Sequence, residues 1–144
     1  MIAIGCDHGG FKLKEAIVAH LKERGTQYKD LGTFDGGAVD YPDIALKGCD
    51  AVTGGEAERG ILVCGTGIGM SIAANKVKGI RAAVCSEHFS ARYTRLHNDS
   101  NILCLGERVT GPGLALELVD LFLDTPFEGG RHQTRVDKIS QIEK

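Results

Sequence analysis

The sequence predicts an α/β fold in which a five-stranded parallel sheet has helices on both faces. Short apolar runs, each suited to a buried strand, alternate along the chain with longer amphipathic stretches suited to helices. Such alternation is typical of parallel sheets with right-handed crossovers. No linker or repeat interrupts the 144 residues, which is the usual length of one domain. We therefore expect residues 1–144 to form a single Rossmann-like three-layer domain.

Composition and charge exclude several kinds of partner. The formal net charge is -2, which gives no electrostatic case for binding nucleic acid. No apolar run is long enough to span a membrane and no signal-peptide pattern is present, so the expected location is the cytoplasm. The five cysteines lack the paired spacing of metal sites. Free thiols in a reducing compartment are the simplest interpretation, and no metal site is predicted.

The first predicted elements are a buried strand over residues 1–5 and an amphipathic helix over residues 11–24. Lys14 is expected among the charged side chains on the exposed face of that helix. Asp7 and His8 then lie at the carboxyl end of the strand, where open α/β sheets bind ligands. The alternatives are that Asp7 caps the helix and that His8 is a surface residue.

A weaker and more polar strand is predicted over residues 27–31, near an edge of the sheet. After a glycine-containing loop, Asp40, Tyr41 and Pro42 introduce a helix that continues over residues 44–52. Pro42 suits the first turn of that helix. From the residues alone, Asp40 is best interpreted as its N-cap.

The most informative stretch is residues 60–74. Its apolar run predicts a buried strand that ends at Cys64, and the glycines that follow let a turn bring its backbone close to a ligand. Ser71 and the residues after it predict a helix. A turn of this kind presents free N–H groups and the positive end of the helix dipole to an anion, and it lowers the pKa of a neighbouring thiol. The stretch therefore offers a nucleophile or base beside an anion site, unless Cys64 is a small core residue.

Two better-known glycine-rich motifs do not fit this stretch. A P-loop is excluded because no Gly-Lys-Ser/Thr follows the glycines. A dinucleotide-binding domain would end its second strand in an acidic residue that binds a ribose, and residues 79–85 supply none.

The second half of the chain continues the alternation. Strands are predicted over residues 80–85 and 101–105, and between them Ser86 is expected to cap a helix that ends near residue 96. Gly111 and Pro112 introduce a further helix. The last helix is predicted over residues 131–142.

Arg131 and Arg135 are four residues apart and share one face of the last predicted helix. One interpretation is a solvated basic face. The other is that two guanidinium groups converge near a helix start and bind a phosphate.

Six motifs together resemble ribose-5-phosphate isomerase type B, along nearly the whole chain. They are residues 5–10, 40–42, 60–69, 81–85, 97–99 and 129–133. The set is specific, although no single motif is. The wider family also holds galactose-6-phosphate isomerase subunits and allose-6-phosphate isomerases.

The resemblance implies an isomerase without cofactors that interconverts ribose 5-phosphate and ribulose 5-phosphate in the pentose phosphate pathway. By the family pattern, Cys64 is the base that moves a proton between C2 and C1 through an enediolate. The turn over residues 65–69, with Thr66 in the catalytic set, would hold the enediolate oxygens. His97 matches the acid/base that opens the furanose ring, with Asp40 as its helper.

The same resemblance implies which residues bind the substrate. His8, Arg108 and the two arginines of the last helix would bind the phosphate, and Asp7 and Asn98 would contact sugar hydroxyls. The full implied set is Asp7, His8, Tyr41, Gly65, Thr66, Gly67, Ile68, Gly69, Asn98, Arg108, Arg131 and Arg135.

Topology predicts that one active site needs two chains. Cys64 ends a strand, whereas His97 precedes one, so they are expected at opposite edges of the sheet. A strand of five residues spans about 17 Å. We therefore expect a homodimer with shared active sites, or a tetramer built from it, and the resemblance also implies dimers.

Three other functions are weighed against this one. An isomerase of a six-carbon sugar phosphate differs only in pocket length. A non-catalytic sugar-phosphate sensor would be indicated by loss of Cys64 or His97, and both are present. A thiol redox protein is disfavoured because the chain has no Cys-x-x-Cys motif.

Overall fold

Aliphatic runs build a parallel sheet at the centre of the fold. The computed structural model describes residues 1–143, and its five strands pair in parallel in the order β2-β1-β3-β5-β4. The edge strands are short and partly exposed, as predicted for the polar second strand. The strands are β1 (Ile2–Cys6), β2 (Tyr28–Asp30), β3 (Arg59–Cys64), β4 (Ala82–Val84) and β5 (Ile102–Gly106).

Helices cover both faces of the sheet, because successive residues of its central strands point to opposite sides. Ile61 and Val63 pack in the core formed with α1, α4 and α5, whereas Leu62 and Cys64 pack in the core formed with α2 and α3. The predicted α/β fold with three layers is therefore confirmed. The helices are α1 (Phe11–Glu23), α2 (Tyr41–Thr53), α3 (Ile68–Ala74), α4 (His88–Asn98), α5 (Pro112–Asp124) and α6 (Arg131–Ile142).

Two details of the predicted helices are wrong. Lys14 is fully buried, because its ammonium group pairs with Asp30 at 3.0 Å and donates to the carbonyl of Thr33. The cap of α4 is Glu87 instead of Ser86, and its carboxylate accepts the N–H of Ser90. None of the helices over residues 1–143 is both long and apolar enough to cross a membrane.

Candidate active site

The carboxyl end of β3 places Cys64 beside the glycine-rich turn. Its side chain is 5% exposed, and the backbone N–H of Gly67 donates to its Sγ at 3.1 Å. Helix α3 begins at Ile68, three residues earlier than predicted. The backbone N–H of Ile68 donates to the hydroxyl of Thr66. Within residues 1–143, no acceptor takes the backbone N–H groups of Gly65, Thr66 and Gly69. The turn thus presents three backbone donors close to a thiol.

The turn has this shape because glycines occur at two positions that tolerate no side chain. Gly67 has φ +80°, and a Cβ there would lie 2.9 Å from the carbonyl carbon of Leu105. A Cβ on Gly106 would lie 2.5 Å from the backbone of Thr66. The turn therefore rests directly on the end of β5, and its N–H groups are fixed by backbone packing.

The other four cysteines have no such surroundings. Burial raises the pKa of Cys6, Cys49 and Cys85 to about 11, and it raises the pKa of Cys104 well above its ordinary value. All five cysteines are free thiols. The four buried thiols therefore remain protonated near neutral pH and suit packing better than catalysis.

Residues that follow β1 and β5 join Cys64 at this edge. Asp7 Oδ1 accepts the N–H of Gly9 at 2.9 Å and caps the short 3-10 turn His8–Gly10, whereas the N-cap of α1 is Gly10, so Asp7 does not cap the helix for which it was considered. A Cβ on Gly9 would lie 3.2 Å from the backbone nitrogen of Gly65, so the two turns touch. The N–H of Arg108 donates to the carbonyl of Gly65, and its side chain lies beside that glycine.

The start of α2 contributes Asp40 and Tyr41 to the same edge. The ring of Tyr41 packs on Gly69, where a Cβ would lie 2.8 Å from it. Asp40 is the N-cap of α2, as interpreted from the sequence, but its exposed side chain makes no capping hydrogen bond. Asp40 and the exposed His8 instead line one cleft of about 490 Å³. The carboxylate is thus available to a ligand.

The remaining predicted site residues lie at the opposite edge of the sheet. Asn98 is the last residue of α4, and its carbonyl accepts the Nε–H of Arg81, which directly precedes β4. The start of α6 is close by, because the N–H of Glu128 donates to the carbonyl of Leu96 at 3.0 Å. Arg131 and Arg135 are exposed in the first turns of α6.

The predicted site residues therefore fall into two groups, separated by the length of the strands. We call them the carboxyl-edge group, which is Asp7, His8, Asp40, Tyr41, Cys64, the turn 65–69 and Arg108, and the amino-edge group, which is His97, Asn98, Arg131 and Arg135. The residues within each group lie close to one another. Residues Cys64 and Gly106 pair at one end of β3 and β5, and Gly60 and Ile102 pair at the other.

Two residues beside His97 were not predicted as site residues. The ring of His132 stacks on that of His97 with centroids 4.0 Å apart and planes at 13°. Glu128 Oε2 lies 3.7 Å from Nε2 of His97 and 3.4 Å from Nε2 of His132. Residue spacing gives no signal of this cluster, because Glu128 lies before the start of α6 and His97 lies on α4.

The same three side chains bring possible metal ligands together, but their geometry does not suit a metal ion. The possible ligand atoms of His97, Glu128 and His132 lie within 4.8 Å of one another. A metal ion lies in the plane of each imidazole that binds it. Because the two rings are stacked, their nitrogen lone pairs run side by side and do not converge on one point. This arrangement does not direct nitrogens of both rings at one metal ion.

The fold and the sequence are those of a sugar isomerase. A model of the family described as Ribose/Galactose Isomerase matches residues 2–139, and the chain belongs to this family. It is 56% identical over 143 residues to ribose-5-phosphate isomerase B of Escherichia coli, covering 99% of this chain and 96% of that one.

Solved structures agree with this assignment. Ribose-5-phosphate isomerase B of Clostridium thermocellum is 58% identical with a TM-score of 0.97, over 99% of this chain and 96% of that one. The Mycoplasma genitalium enzyme with bound ribulose-5-phosphate is 44% identical with a TM-score of 0.94, over 99% and 95%.

Proposed function

We propose that this enzyme interconverts ribose 5-phosphate and ribulose 5-phosphate. The observation that carries the proposal is the thiol of Cys64 beside the free N–H groups of the turn 65–69. Proton transfer next to a carbonyl group needs both a base and a stabilised oxyanion. The names of the similar enzymes, ribose-5-phosphate isomerase B, support the choice of substrate.

Cys64 transfers the proton in this mechanism. Its thiolate removes the proton from C2 of the open-chain aldose, and the C2–H electron pair forms the C1–C2 double bond as charge moves to O1. The N–H groups of Gly65, Thr66 and Gly69 stabilise this charge. The thiol then returns the proton to C1. Transfer of the hydroxyl proton from O2 to O1 completes the ketose.

Ring opening and phosphate binding use both groups of residues. His97 is the acid/base that opens the furanose ring, and the exposed carboxylate of Asp40 assists it. Asp7 and Asn98 bind sugar hydroxyls. The phosphate binds to His8 and Arg108 of one edge and to Arg131 and Arg135 of the other.

A homodimer brings the two groups together. The separation of Cys64 and His97 by the sheet supports this proposal, because a twofold axis can set the amino-edge group of one chain against the carboxyl-edge group of its partner. Exposed apolar side chains near the site also need a covering surface, among them Ile68, Ile72 and Phe89. A tetramer could form from two such dimers.

The cytoplasm is the proposed location. The five cysteines are all free thiols, and such thiols persist in a reducing compartment.

The test is to compare kcat/KM for ribose 5-phosphate and allose 6-phosphate in the presence of a chelator. We expect turnover of ribose 5-phosphate, with a kcat/KM clearly higher than that for allose 6-phosphate. A preference for allose 6-phosphate would assign the enzyme to six-carbon sugars. Binding of both sugars without turnover would instead indicate a sensor.

A further inference from the structure

We propose that Glu128 is a positioning residue for His97, because its carboxylate holds one proton on the stacked rings of His97 and His132. The pair then supplies His97 in the acid form that opens the sugar ring. This inference rests on the proposed function. We use the name histidine pair for His97 and His132.

The local backbone fixes the carboxylate next to the histidine pair. The N–H of Glu128 donates to the carbonyl of Leu96, one residue before His97. Gly129 and Gly130 follow with φ +70° and +56°, and this sharp turn leads directly into α6. His132, one residue into α6, is thereby placed on the ring of His97. In this arrangement the carboxylate lies within 4 Å of Nε2 in both rings.

The charges around the pair favour a single proton. Burial lowers the pKa of His132, with further lowering by His97, Arg131 and Arg135, and only Glu128 opposes these effects. On the α4 side, the ring of Tyr93 meets His97 edge-on at 4.9 Å. Two stacked imidazolium rings repel, so a second proton on the pair is disfavoured.

The exposure of the two rings determines which of them a bound sugar can reach. The His132 side chain is 15% exposed and that of His97 is 36% exposed. His97 is therefore the ring that donates to the sugar in this proposal. His132 serves as the neutral ring against which His97 stacks.

Ring opening balances with one proton on the pair. The electron pair of the bond between C1 and the ring oxygen goes to that oxygen, which takes the proton of His97. The anomeric hydroxyl returns a proton to the imidazole as the C1–O1 double bond forms. A pair without its proton has none to donate at the first step.

The experiment compares Glu128→Gln with wild type in two reactions. Isomerisation of ribose 5-phosphate requires ring opening, whereas ribulose 5-phosphate is open-chain, because phosphate blocks its O5. Deuterium exchange from D2O into C1 of ribulose 5-phosphate, followed by NMR, therefore reports the enediolate step alone. We expect kcat/KM for ribose 5-phosphate to fall about tenfold at alkaline pH, with the alkaline limb about one pH unit lower. The exchange rate should change less than twofold.

Two further variants complete the comparison. Glu117→Gln is the matched control, since Glu117 pairs with His88 at an exposed site elsewhere, and it should leave both reactions unchanged. Glu128→Asp should restore part of the ribose 5-phosphate activity because it keeps the charge. An unchanged pH profile in Glu128→Gln would overturn the proposal, as would equal losses in both reactions.

A readout without turnover separates this proposal from the proposed function. Titration of the histidine pair by NMR should move to lower pH by about one unit in Glu128→Gln. Failure of the wild-type enzyme to turn over either sugar phosphate would refute the proposed function, and the titration would still decide the role of Glu128. A titration that does not move would refute that role.

Discussion

The backbone N–H of Gly67 donates to Sγ of Cys64 at 3.1 Å, so the turn that binds the enediolate in our proposal also contacts the base. The same turn contains three further N–H groups without an internal acceptor among residues 1–143. Base and oxyanion donors are therefore set by one rigid piece of backbone, and changes to either should affect the chemical step.

Replacement of Cys64 by alanine should remove the base. We expect kcat for ribose 5-phosphate to fall by about 10²–10⁴-fold, the usual contribution of a general base, while the substrate still binds. Cys85→Ala is the control, because that thiol is buried and stays protonated. A near-normal kcat in Cys64→Ala would refute the assignment of the base.

Replacement of Gly67 by alanine should distort the donors. Its φ of +80° and the 2.9 Å approach to Leu105 leave no room for a Cβ. We expect a loss of about 1–3 kcal/mol in the free energy of unfolding and a lower kcat. Gly113→Ala in α5 is the control, because nothing lies within 4 Å of its Cβ position. Equal stability of the two variants in urea unfolding would contradict this explanation of the turn.

The buried thiols should make stability fall at alkaline pH. Burial raises the pKa of Cys6, Cys49 and Cys85 from 9.0 to about 11, so the folded state retains protons that the unfolded state loses. Their contribution is fully present below pH 9 and is lost as pH rises towards 11. The free energy of unfolding should therefore fall by a few kcal/mol over this range. In Cys85→Ala the free energy of unfolding should fall less steeply with pH over this range. An unchanged dependence on pH would count against the explanation.

Much of the fold was predictable because its signals are local. The last helix was predicted over residues 131–142, where α6 occurs, and the apolar run placed Cys64 at a strand end. The polar edge strand was likewise confirmed. In each case the hydrophobic pattern and the neighbouring turn residues carry the information.

The remaining features depend on contacts between distant parts of the chain. Lys14 was expected on the exposed face of α1, because charged side chains usually face the solvent. Instead it is enclosed by Asp30 and by the loop after β2. The cluster of Glu128 with His97 and His132 arises only when α6 packs beside α4. Periodicity within one helix gives no information on either contact.

Arg131 and Arg135 of α6 should contribute to binding when the ligand carries a phosphate group. We expect Arg131→Ala or Arg135→Ala to weaken binding of ribose 5-phosphate by about 1.5–3 kcal/mol, as for a charge-assisted hydrogen bond, measured by calorimetry. Binding of unphosphorylated ribose should hardly change. Lys138→Ala on the same helix is the control for a general charge effect. Similar losses for both ligands would indicate a structural role instead.

The central claim is that each active site takes Cys64 from one chain and His97 from its partner, and complementation tests it most directly. Cys64→Ala and His97→Ala, each nearly inactive alone, are mixed and allowed to exchange subunits. Random pairing makes about half the dimers mixed, each with one intact site, so activity should recover to about a quarter of the wild-type value. Confirmed subunit exchange without any recovery would place both residues in the site of a single chain and contradict the account.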